Sequence, residues 1–216
     1  MYLSSHPLDK YSFEIESFVD SELTSLDAMV EECEKNKTPK KVTFAGIVTD
    51  CKEFTSRTGT PYGRVTLEDY SGSYELSLFA KDYEKYKGML TVRTSLFIEG
   101  EIRERYFLKP AERAQGKTVP YTLRINDISM LGNLASAHVN AITLNLRTEQ
   151  ITPAFRKDLS HLLKTYKGDT PLLVYLLDKD SGYHIEFKSK KFKVQVSSLF
   201  ISELRTLGID YKVSRK

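Results

Sequence analysis

From Val42 to Phe54 the chain reads Val-Thr-Phe-Ala-Gly-Ile-Val-Thr-Asp-Cys-Lys-Glu-Phe, a stretch rich in β-branched and aromatic residues with one glycine, Gly46, inside it. An ordinary strand holds about five or six residues. A longer one has to bend, and a glycine within a strand commonly marks the bend or bulge.

Further strand-like segments follow. Thr55–Pro61 is a polar turn, and Tyr62–Asp69 alternates, with Val65 and Leu67 on one face and Arg64 and Thr66 on the other. Tyr70-Ser71-Gly72 turns the chain into Tyr74–Phe79, where Leu76 and Leu78 share a face. Lys81–Lys87 carries helix formers ahead of Gly88, which reads as a short helix with a glycine cap. Ser95–Glu104 and Tyr121–Leu131 are two further strands, joined by a charged loop containing Pro110, Gly116 and Pro120. Three strands, a short helix and two strands, the first strand kinked, is the layout of a five-stranded OB-fold barrel.

On such a barrel the second and third strands, with the loops joining strands one to two and four to five, face oligonucleotides. Single strands are held by cations along the phosphates and by exposed rings on which bases stack. Position then selects Lys52, Phe54 and Arg57, at the end of the first strand and in its loop, Tyr62 and Arg64 at the opening of the second, and Tyr74 and Phe79 bracketing the third. Arg64 faces outward by alternation. Phe79 sits where it can equally pack beneath the short helix, and Phe54 is balanced between core and surface.

The flanks read differently. In residues 1–40, Pro7 and Asp9 suit a helix start. Leu8, Tyr11, Ile15 and Phe18 then fall on one face, with Glu14, Glu16 and Asp20 projecting elsewhere. A second helical pattern through Leu23, Leu26, Met29 and Val30 dissolves into a linker at Asn36–Lys40. In the tail, Asn140–Arg147 alternates as a strand, and Thr152-Pro153 opens a helix that places Phe155, Leu159, Leu162, Leu163 and Tyr166 together. Leu172–Leu177, Tyr183–Lys188 and Phe192–Val196 read as strands, and a last helix runs from Ser198 to Leu207, closed by Gly208. The fold class is mainly β with an α/β tail: a helical lead-in and linker over residues 1–40, the barrel over 41–136, and a small α/β domain over 137–216 whose sheet two helices cover.

Charge separates the same three parts. Residues 1–40 carry 4 basic and 9 acidic side chains, 41–131 carry 14 and 12, and 132–216 carry 14 and 8. Glu53, Glu68, Asp69 and Glu75 dilute any basic patch on the barrel, so weak, salt-sensitive nucleic-acid binding is expected there. The run Lys188-Ser-Lys190-Lys191-Phe-Lys193 suits nucleic acid, but it also suits a strand edge guarded by lysines, and the second reading is preferred. Gln195–Phe200 looks like a peptide that binds a sliding clamp, yet Val194 and Val196 belong to a strand and Leu199 and Phe200 to a helix start.

Several classes are excluded. No run approaches the roughly 18 apolar residues of a membrane span, and Met1–Asp9 lacks the pattern of a secretory signal, so the chain is expected to be cytoplasmic with no membrane partner. Cys33 and Cys51 have neither a disulfide framework nor metal-ligand spacing, and His6 has no companion ligand. No paired carboxylates, phosphate loop or nucleophile elbow stands out, and Asp178 and Asp180 belong to a turn. Catalytic residues, metal and cofactor are all expected to be none.

Tyr2-Leu3-Ser4-Ser5-His6-Pro7-Leu8-Asp9-Lys10-Tyr11 resembles the segment leading into the OB-fold of the alpha subunit of bacterial DNA polymerase III. Phe44–Val48, Val65–Gly72 and Tyr83-Glu84-Lys85-Tyr86 resemble that family's OB domain in order and spacing, and the tail fits the family's last domain by element order. The resemblance implies a C-terminal fragment with an artificial start at Met1. The phosphoesterase-like domain, the catalytic palm and the internal clamp-binding peptide would then lie upstream. It further implies that the barrel contacts single-stranded template and that the segment after Ala137 binds the tau subunit of the clamp loader; the sliding clamp is a lesser candidate partner, on the residues Gln195–Phe200 alone. Two alternatives stay open, a protein-binding adaptor whose barrel is a spacer, and another OB-containing nucleic-acid-binding protein.

Overall fold

The computed structural model describes residues 6–106 and 119–215; the expectations for Tyr2–Ser5, Pro110 and Gly116 lie outside them. The chain divides into two compact units, one taking Ile15–Leu131 with the residues up to Asp9, the other Lys10–Glu14 with the residues from Gly132 on.

The barrel unit holds strands β1 (Lys40–Thr55), β2 (Pro61–Glu68), β3 (Ser73–Phe79), β4 (Ser95–Glu104) and β5 (Tyr121–Met130), in the order β3-β2-β1-β4-β5. All neighbours are antiparallel. The long strand serves two partners: Lys40–Ile47 pairs with β4, and Ile47–Thr55 with β2.

Its irregularity, however, is not at Gly46. The register against β2 slips between Val48 and Asp50, so Thr49 is the extra residue. Gly46 answers to space instead, because a Cβ there would lie 3.1 Å from that of Leu67. The bulge reverses the alternation. Val42, Phe44 and Val48 point into the core, whereas past Thr49 it is Cys51 that packs against the core. Asp50, Lys52 and Phe54 are thereby turned outward, opposite Thr66, Arg64 and Tyr62 of β2.

Helices α1 (Ser12–Phe18), α2 (Leu26–Asn36) and α3 (Ala80–Tyr86) are short. Leu26 and Cys33 of α2 and Tyr83 and Tyr86 of α3 join Val42, Phe44, Leu67 and Ile98 in one core. Gly88 lies within a 3-10 turn, Lys87–Met89, rather than capping α3. The Asp69 carboxylate organises the β2–β3 turn, accepting from the backbone N–H groups of Ser71 and Gly72 at 2.7 and 3.0 Å, and from that of Leu23 at 2.9 Å.

Gly63 sets the position of α3. A Cβ there would fall 2.4 Å from the Tyr83 ring, so the ring lies directly on the glycine, and the Tyr83 hydroxyl donates to Glu53 at 2.7 Å.

The tail unit contains α4 (Leu134–His138), β6 (Val139–Arg147), α5 (Pro153–Thr165), β7 (Lys167–Leu177), β8 (His184–Val194), α6 (Ser198–Thr206) and β9 (Asp210–Arg215). Its sheet has the order β8-β7-β6-β9, with β6 and β7 parallel across α5. Thr152 caps α5, its hydroxyl accepting from the Phe155 N–H at 3.1 Å. Two expectations are corrected. The two expected strands Tyr183–Lys188 and Phe192–Val196 merge into one, β8, which begins at His184 and ends at Val194 and whose register against β7 slips between Pro171 and Leu173. The last residues add β9, antiparallel to β6, which periodicity over so short and polar a segment does not reveal.

Glu14 is buried, which its charge does not suggest. Read from the sequence only as projecting off the apolar face, it is 2% exposed, and the Ser198 hydroxyl, which accepts from the Phe13 N–H at 2.9 Å, donates to its carboxylate. Burial pushes the Glu14 carboxyl above its ordinary value of 4.5, against the opposing pull of the Ser198 hydroxyl. No helix among the described residues is long and apolar enough to cross a membrane.

Two outcomes are expected. Replacing Gly63 with Ala forces the Tyr83 ring off the sheet and lowers stability by about 1–3 kcal/mol in urea unfolding. Because the folded state binds the Glu14 proton more tightly than the unfolded state does, its contribution is fully present below about 4.5 and is lost as pH rises through the raised value. Glu14→Gln, which keeps an acceptor for Ser198, flattens that part of the stability–pH profile.

Candidate nucleic-acid interface

The outward faces of β1, β2 and β3 form rows. Phe54, Tyr62 and Phe79 are direct cross-strand neighbours. Their rings stack in series, with centroids 5.4 Å apart for Phe54 and Tyr62 and 5.3 Å apart for Tyr62 and Phe79, at interplanar angles of 22° and 26°. Phe79 is 59% exposed, so packing beneath α3 is excluded. It is the last residue before α3, and Ala80, at φ 47°, sends the chain away into the helix. Tyr83, not Phe79, fills the space under that helix.

The next row is Lys52, Arg64 and Ser77, and the one beyond it Asp50, Thr66 and Glu75. Arg64 lies over the Phe54 ring, its guanidinium carbon 5.4 Å from the centroid, and reaches Glu75 at 3.8 Å. Lys52 pairs with Asp50 at 2.6 Å. That hydrogen bond raises the Lys52 ammonium and lowers the Asp50 carboxyl from their ordinary values. Both cations of the face already carry a carboxylate, and both pairs are exposed enough for an incoming phosphate to compete.

Arg57 stands exposed in the loop beyond the last β1–β2 pair, Thr55 and Pro61. The loop is held by Ser56, whose N–H donates to the Thr60 carbonyl at 2.9 Å. Tyr74 does not join the row. It shares the inner parity of Leu76 and Leu78 and packs against the core, and burial followed by its contact with Asp27 raises its hydroxyl.

Three arginines went unnoticed in the sequence. A cleft of about 590 Å³ beside Phe79 is lined by Arg103, Arg105 and Arg124 from β4, its end and β5, facing Asp27, Glu75 and Asp82. Arg103-Glu-Arg105-Tyr106 at the entry to the charged loop was the available signal.

Comparison with known proteins adds two family matches. Residues 42–131 match the OB-fold nucleic acid binding domain, and residues 142–214 the C-terminal domain of the DNA polymerase III alpha subunit. DNA polymerase III subunit alpha of Vibrio cholerae is 24% identical over 96% of this chain, and that of Haemophilus influenzae 27% over 81%. The chain spans only 16% and 14% of those relatives' lengths. Among solved structures, the mitochondrial single-stranded DNA binding protein Rim1 of S. cerevisiae aligns with 43% of this chain and 93% of its own, at 13% identity and a TM-score of 0.29.

The pairing of cations makes a prediction with a definite sign. Asp50→Asn with Glu75→Gln frees Lys52 and Arg64, tightens oligonucleotide binding by about two- to tenfold at low salt, and steepens its salt dependence. Fluorescence anisotropy across a salt series measures both.

Proposed function

We propose that this chain, which matches the C-terminal region of bacterial DNA polymerase III alpha subunits, is a non-catalytic part of a cytoplasmic replicative polymerase. Its barrel, residues 41–136, holds single-stranded template. Its tail domain, residues 137–216, binds the tau subunit of the clamp loader.

The observation that carries the first half is the ring row. Phe54, Tyr62 and Phe79 form a continuous stack on the face where an OB-fold presents its ligand. Its open end, Phe79, is free to take a base. Stacking is indifferent to base identity, which suits a template of any sequence. Lys52, Arg57 and Arg64 serve the phosphates beside it, Lys52 and Arg64 by exchanging their carboxylate partners. Tyr74 supports β3 from inside. The clamp is left out of this reading, because Val196 and Phe200 of the clamp-like segment are buried in the tail core.

The alternative of a barrel that is only a spacer draws on the same paired cations. Anisotropy with a labelled thymidylate oligonucleotide separates the two. Each of Tyr62→Ala and Phe79→Ala weakens binding by about 1–3 kcal/mol per lost stack, and Arg57→Glu with Arg64→Glu abolishes it at moderate salt. A barrel that ignores the oligonucleotide at low salt is a spacer. Capture of purified tau by the same chain tests the tail independently.

A further inference from the structure

We propose that the outer edge of β8, from His184 to Lys193, is a docking strand, to which a partner's extended peptide of alternating apolar and acidic residues adds as a fifth strand of the tail sheet. The proposal rests on the reading of the tail as a partner-binding domain and goes further by naming the surface and the chemistry of what binds there.

The edge is unusual in length. β8 holds 11 residues and pairs only with β7, which leaves its other side without a strand partner among the described residues. Exposed edges of this kind template further pairing, and proteins normally blunt them with charge, shortness or bulges. The opposite edge conforms: β9 has 6 residues and carries Asp210, Lys212 and Arg215.

β8 is blunted over one half only. Lys188, Lys190, Lys191 and Lys193 guard its second half, whereas Ile185 and Phe187 in the first half are 62% and 48% exposed, with Tyr183 exposed just before them. A lysine-guarded edge therefore accounts for half of this strand. Ile185 and Phe187 lie opposite Leu176 and Val174, on the face that also carries Leu144, Leu146 and Leu172. That apolar face continues to the rim of the sheet and stops at an open backbone. A strand added there would satisfy the edge hydrogen bonds and place every second side chain on Ile185 and Phe187, which is how edge-adding peptides gain affinity and specificity respectively.

Charge fixes the rest of the partner's chemistry. None of the four lysines is in an ion pair among the described residues, in contrast to Lys52 and Arg64 of the barrel. A peptide with carboxylates in register with Lys188–Lys193 supplies the missing partners. A nucleic acid would also pair with lysines and could stack a base on Phe187, but it has no use for Ile185 or for the open backbone edge.

The test uses the whole chain and a fluorescein-labelled synthetic peptide of alternating glutamate and valine. The chain is expected to bind it saturably, with amide exchange slowed along β8 and not along β9. Affinity is expected to fall about tenfold or more in Phe187→Lys and in the triple variant Lys188→Glu, Lys190→Glu, Lys191→Glu. Unchanged melting of both variants confirms that they fold. Absence of saturable binding, undiminished binding by both variants, or protection elsewhere in the tail overturns the proposal. So does a thymidylate oligonucleotide that protects the β8 amides and displaces the peptide, since it assigns the lysines to phosphate. Failure of the tail reading shows separately, as no capture of tau by the wild-type chain.

Discussion

The extra residue at Thr49 decides what the barrel can do. A strand alternates its faces with a period of two, so without an insertion Lys52 and Phe54 would continue the inward series of Val42, Phe44 and Val48. The slip between Val48 and Asp50 exchanges the faces for the remainder of β1. Cys51 then packs on the core, and Asp50, Lys52 and Phe54 meet Thr66, Arg64 and Tyr62 on the outer surface. The ring row, the cation row and the carboxylate row all follow from that exchange.

A second constraint holds the row level. Gly63 follows Tyr62 along β2, and its bare Cα lets the Tyr83 ring lie against the sheet. The Tyr83 hydroxyl is anchored on Glu53, next to Phe54, which holds that hydroxyl up at about 12. With Tyr83 filling the inner side, Phe79 remains outside to complete the stack. The backbone pays for this at Ala80, a non-glycine residue in the left-handed region immediately after Phe79.

The face so built is aromatic first and electrostatic second. Its cations are partnered by exposed carboxylates, which are weak pairs and exchangeable ones. In the proposed reading, such a surface would hold a strand through stacking while the net charge of the barrel stays small. β8 of the tail shows the reverse: among the described residues its four lysines form no ion pair, and exposed apolar residues stand beside them on an open edge.

The sequence by itself determined the element order of the barrel, the OB-fold, the α/β class of the tail, the cap at Thr152 and most of the residue types of the candidate face. Those features depend on local preference and periodicity, which act over a few residues and are written directly in the chain. It did not determine the bulge, for Thr49 carries no turn or glycine signal and the visible glycine, Gly46, serves packing. Nor did it determine the burial of Glu14, the carboxylate partners of Lys52 and Arg64, the inward side of Tyr74, or the strand β9. Each of those depends on which residue of a distant segment comes opposite, and a shift of one residue in register inverts the answer. Only the tertiary structure sets that register, because the burial of a shared core chooses among registers that local sequence leaves nearly equal.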